Sequence, residues 1–149
     1  MIASAPVELL RREAGLLVQR LRVWTPTRWG AGDRERVARH LAQALADAAA
    51  DLEGGPRCLL PDLGSPLALP DQLAVTADDV VRAGPSDETV RMLTAHLLLH
   101  RHDLLEDDVP DTLAVQLGFA DGAELLARTS QTCGTSPCTC PCGCGPQER

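Results

Sequence analysis

Apolar residues recur at three- and four-residue steps over most of the chain, the spacing that gathers them on one face of an α-helix. Over residues 7–23, Leu10, Ala14, Leu17 and Leu21 form such a face, and Arg11, Arg12, Glu13, Gln19, Arg20 and Arg22 fill the other. Pro26 stops this helix, and Trp24 and Trp29 flank the break, placed to fill the joint with the next helix. A second helix is predicted over 34–53, capped by Asp33, with Val37, Leu41, Leu45, Ala48 and Leu52 inward and Gly54-Gly55-Pro56 at its end. Residues 54–70 are rich in proline and glycine, and Leu59, Leu60, Leu63, Leu67 and Leu69 predict a loop laid across the bundle. Asp71 is expected to cap a third helix, 72–83, with Leu73, Ala77, Val80 and Val81 inward and Gly84 just past its end. Ser86 caps a fourth, 87–102, with Val90, Leu93, Leu97 and Leu98 inside. Short helices follow over 112–117, capped by Asp111 and ended by Gly118, and over 122–128, capped by Asp121. No segment alternates β-branched residues. The fold class is therefore all-α: a small four- to five-helix bundle in residues 1–128, followed by a disordered Cys-rich tail in 129–149.

Composition narrows the function. The 149 residues contain no Lys, Asn or Tyr, and Arg supplies all 14 basic side chains. Residue types with AT-rich codons are almost missing, which points to a high-GC bacterial genome rather than to an activity. The absence of Lys excludes a P-loop or Schiff-base lysine. Aromatics at 2% exclude the usual base-stacking surface. Charge is divided along the chain: residues 58–128 carry four Arg against 13 acids, within a total net charge of −7. Such a stretch suits a solvated surface or a basic protein partner and repels a phosphate backbone. Leu113-Ala114 and Leu117-Gly118-Phe119 resemble the helix-turn-helix opening of some bacterial transcription activators. The helix that follows offers Glu124 and Arg128 behind the acidic run 103–111, so no nucleic-acid partner is expected. The first residues have no basic segment followed by an apolar run, and no stretch nears the ~20 apolar residues of a membrane span. A cytoplasmic protein with no membrane partner is the expectation.

The body offers little chemistry. His96 and His100 lie one helical turn apart, a spacing that lets both reach one ion. No HExxH glutamate and no third ligand at a diagnostic spacing accompanies them, and His at a helix C-terminus also satisfies the dipole. A structural role is expected, with the pair kept as a metal candidate. No GxSxG elbow and no nucleophile–base constellation is found, so no enzyme is expected. Cys58 reads as a small buried hydrophobe.

The tail is different. Five of the six cysteines, Cys133, Cys138, Cys140, Cys142 and Cys144, crowd the last 17 residues among Thr132, Thr135, Ser136, Thr139, glycines and prolines. Exposed thiols oxidise and cross-link, so a use for them is expected. Cyclodehydration of Cys gives thiazolines and thiazoles, and dehydration of Ser or Thr followed by thiol addition gives thioether rings. The tail carries the residue types both reactions need. An acidic helical stretch before a Cys/Ser/Thr/Gly terminus resembles the leader-plus-core layout of ribosomally synthesised, post-translationally modified peptide precursors of the thiazole/oxazole or lanthionine type. That resemblance covers the last ~20 residues and more faintly 103–128. It implies a modifying enzyme as partner and an exported product. The chain departs from it in the 128 residues that precede the tail and in lacking Gly-Gly at the junction. Cys138-x-Cys140-x-Cys142-x-Cys144 also resembles the Cys-x-Cys runs of metallothioneins and copper-handling tails, which implies Cu(I) or Zn(II) held by soft thiolates. A third reading is a helical adaptor that binds another protein and has no chemistry of its own.

Overall fold

The computed structural model describes residues 4–134, with side chains through Gln131. These residues form α1 (Ala5–Arg22), α2 (Pro26–Trp29), α3 (Arg34–Glu53), α4 (Leu69–Arg82), α5 (Asp87–Leu105), α6 (Asp111–Gln116) and α7 (Gly122–Gly134), with a 3-10 turn at Pro66–Ala68. Among the described residues there is no strand, and the all-α class holds. Among the same residues no helix is long and apolar enough to cross a membrane.

Local chemistry sets most boundaries. Ser4 Oγ accepts from the Val7 N–H at 3.4 Å, and Pro6 sits in the first turn, where its missing N–H costs nothing. α1 therefore starts two residues before the predicted 7. Pro26 ends one helix and opens another: Thr25 Oγ1 caps α2 by accepting from the Arg28 N–H at 3.2 Å. Four residues carry no periodicity, so α2 was invisible to the pattern. Ser86 and Asp121 cap α5 and α7 as expected, at 3.2 and 2.8 Å.

Of the other three predicted caps, one stands at its position without the side-chain bond and two are corrected. Asp33 occupies the N-cap position of α3 but makes no capping bond; its carboxylate accepts from Arg36 at 3.0 Å. α4 begins at Leu69, and Asp71 lies inside its first turn, bonded to Arg22 of α1 at 2.9 Å. Pro110 is the N-cap of α6, and Asp111 Oδ1 accepts from the Gly122 N–H at 2.9 Å, tying α6 to the start of α7. α5 runs on past 102 to Leu105, where Glu106 turns into the left-handed region at φ 59°. α7 runs past 128 to Gly134, which places the backbone of Thr132 and Cys133 on a helix. Thr135, Ser136, Cys138, Thr139, Cys140, Cys142 and Cys144, and the disorder expected of them, lie outside the described residues.

Helices α1, α4, α3 and α5 form a closed ring in that order, each packed against the next. α7 lies against α5, and α6 packs on α7. The predicted inward residues Leu10, Leu17, Leu21, Leu41, Leu45, Leu73, Val80, Val90, Leu93, Leu97 and Leu98 are buried in one core. Each contributes about 1.5–3 kcal/mol of burial before the entropy of ordering is subtracted. Trp24 and Trp29 meet edge to face with centroids 4.8 Å apart, both buried at the α1–α3 joint. Leu52 lies outside the core at 36% exposure. The loop before α4 also departs from expectation. Leu59, Leu63 and Leu67 are exposed, and only Leu60 and Leu69 reach the core. The segment is held by its backbone instead: Gln43 accepts from the Leu60 N–H at 2.9 Å and donates to the Cys58 carbonyl at 3.0 Å.

Candidate functional site

Two polar features are built into the bundle, and one cleft lies beside it. The first feature is a histidine chain between α3 and α5. His100 Nδ1 lies 2.6 Å from the His96 carbonyl oxygen. A carbonyl only accepts, so this nitrogen carries the proton. In the neutral ring Nε2 is then an acceptor, and it lies 3.1 Å from His40 Nδ1, which donates. That leaves His40 Nε2 as a bare lone pair, buried and without a hydrogen bond among the described residues.

Burial keeps the chain uncharged. His96 is pushed down to about 4, first by burial and then by the neighbouring charges of His100 and His40. His100 is lowered by burial, against the opposing His96 carbonyl bond and the Asp103 charge. His40 is lowered by burial and by Arg36, against Asp47. The proposed sharing of one ion by His96 and His100 meets a different geometry, since both nitrogens of His100 are engaged inside the protein. Among the described residues no group of three or more His, Cys, Asp and Glu is placed to hold a metal. His40 was missed by sequence reasoning. It stands 60 residues from His100, and no spacing signals that contact.

The second feature joins α1 to α5. Glu13 Oε1 accepts from Arg101 Nη1 at 2.8 Å, with the two side chains 3% and 13% exposed. Arg12 reaches the other carboxylate oxygen at 3.2 Å from the surface. Glu13 stands on the face assigned to solvent by the pattern, and Arg101 is what permits its burial.

The cleft, of about 820 Å³, lies between α5, α6 and α7. Arg91, Met92 and His96 of α5, Val115 of α6, Phe119 of the α6–α7 connection and Arg128 of α7 are among its walls. Arg128 stacks over the Phe119 ring at 5.2 Å, with Glu124 3.8 Å away. Met92 and Val115 are 38% and 60% exposed. α7 continues from this wall to Gly134. Cys58 is exposed rather than buried, its thiol 3.8 Å from the Pro56 carbonyl.

Comparison with protein-family models, curated proteins and solved structures finds no match to this chain.

Proposed function

We propose that the chain is a non-enzymatic helical carrier whose C-terminal tail is the substrate of a modifying enzyme, in the manner of a modified-peptide precursor in the cytoplasm. The observation that carries this reading is the segregation of chemistry. The body pairs Glu13 with Arg101 and His40 with His100 internally. Five of six cysteines, with Thr135, Ser136 and Thr139 among them, follow Gln131. In azoline formation the Cys thiol adds to the preceding carbonyl carbon and one water leaves. Oxidation to the azole removes two hydrogens, which an oxidant of the modifying enzyme accepts. In thioether formation a Ser or Thr loses water and a thiol adds across the new double bond.

The helix bears on one of the substrate cysteines. Thr132 and Cys133 lie on α7, where the carbonyl preceding Cys133 points along the helix axis. Ring closure at Cys133 needs this end of α7 to unwind. Intact mass of the protein from its native host tests the reading. Losses in units of about 18 or 20 Da, mapped beyond Gly134, are expected. The alternating Cys138–Cys144 spacing favours a second reading, a Cu(I) or Zn(II) thiolate cluster. An unmodified tail that takes up several Cu(I) ions supports that one and overturns the first.

A further inference from the structure

The histidine chain between α3 and α5 has a direction. It runs from His40 Nδ1–H to His100 Nε2 at 3.1 Å, and from His100 Nδ1–H to the His96 carbonyl at 2.6 Å. The carbonyl fixes one end as an acceptor, so both ring protons point toward it. The other end is the His40 Nε2 lone pair, buried and without a hydrogen bond among the described residues. Of the four ring nitrogens in the pair, it alone can take a proton while every bond of the chain stays in place.

One added proton fits this arrangement. On His40 Nε2 it makes an imidazolium, and the bond from His40 Nδ1–H to His100 becomes charge-assisted. The Nδ1 proton can then cross to His100 Nε2. The charge moves to His100, His40 becomes a neutral ring protonated at Nε2, and the bond between the rings persists with its direction reversed. A second proton does not fit. Both facing nitrogens then carry hydrogen, and two positive rings meet with N–H against N–H across 3.1 Å.

The charges around the pair do not remove that conflict. Arg36 of α3 opposes a charge on His40, while Asp47 of α3 favours one. Asp47 is itself engaged by Gln43 at 2.9 Å and by Arg57 at 3.8 Å. On α5, Asp103 favours a charge on His100, and His40 opposes it. A charge on either ring also opposes one on His96. From α1, the buried carboxylate is Glu13, held by Arg101. Among the described residues α4 and α7 bury Thr76 and Thr129 and no charged side chain.

We infer that His40 and His100 form a proton-operated latch between α3 and α5, which stays closed with no proton or one shared proton and is released by the second. The fold thus carries an acid-responsive device with two stages, built from side chains on helices that pack against each other.

The test follows the ring nitrogens of the full reduced chain, isotope-labelled for NMR, as the pH is lowered from about 8 to about 4. At the start both rings are expected in the form protonated at Nδ1. At a first midpoint the nitrogens of both rings are expected to move together, each by part of the shift that full protonation gives. A second midpoint is expected at least about one pH unit lower. The cross-relaxation contact between the two rings is expected to vanish there and not before, whether the helices part locally or the whole chain unfolds. His40→Asn is expected to leave His100 with a single step. His96→Gln keeps the backbone carbonyl and is expected to keep both steps. If His40→Asn disturbs the fold, His96→Gln and the wild-type curves decide.

A ring protonated at Nε2 alone at the start overturns the proposal. Rings that titrate at separate midpoints, each with its full shift, overturn it too. So does contact between the rings that outlasts the second step, and so does unfolding at or above the first. None of these outcomes depends on whether the tail is modified.

Discussion

Gly122 is the most tightly enclosed of the described glycines. It opens α7 against the segment before α6, and a Cβ there would overlap the Val109 carbonyl oxygen. Its N–H also donates to Asp111. Gly122→Ala forces the two backbones apart and is expected to destabilise the protein by about 2–4 kcal/mol, read by chemical denaturation. Gly15 is the control. It lies within α1 with open space around its Cα, so Gly15→Ala is expected to stabilise by up to about 1 kcal/mol. Equal stability of the two variants would sink the argument. The same scale explains which caps were legible. Ser86 and Asp121 bond to amides three residues on, a relation written in the local sequence. Asp71 is captured by Arg22 from 49 residues away, and Asp111 by an amide 11 residues on. A carboxylate suits an N-cap and a guanidinium equally well, so local sequence does not decide between them.

Among the elements, α1, α3, α4 and α5 were legible because each repeats an apolar face over three or more turns. What joins them was not. The α1–α5 contact contains Glu13, whose carboxylate is buried only because Arg101, 88 residues away, faces it. Glu13→Leu strands a guanidinium that is 13% exposed and is expected to cost about 3 kcal/mol. Glu13→Leu with Arg101→Met removes both charges and fills the space, and most of the loss is expected to return. A double-mutant cycle in denaturant measures the coupling, and additive losses would show that the pair does not act as a unit. The loop leucines failed for a related reason. Their apolar character predicted burial, but Gln43 fixes the loop through backbone atoms and leaves Leu59 89% exposed.

At the scale of the whole molecule, α3 and α5 carry three histidines whose ordinary pKa of 6.5 lies close to neutrality. His40, His96 and His100 are held neutral by burial, and each has a lowered pKa. In the unfolded chain each imidazole protonates near 6.5. As pH falls through that value the unfolded state binds protons that the folded state refuses, so stability falls with it. The loss continues until the folded rings protonate, at about 4 for His96. Over that window His96 alone removes about 3 kcal/mol, with His40 and His100 adding in the same direction. Arg36 adds to the loss by opposing a charge on His40, while Asp47 and Asp103 temper it at His40 and His100. The carboxylates with lowered pKa, Asp51 and Asp62, act below their ordinary value of 3.8 and do not reach into this range. Denaturation midpoints are therefore expected to be flat above pH 7.5 and to drop steeply between about 6.5 and 4.5. His40→Asn keeps an N–H directed at His100 and deletes one titrating ring, so its curve is expected to fall less steeply. Wild-type stability that is equal at both ends of that window would show that the three rings are hydrated in the folded protein.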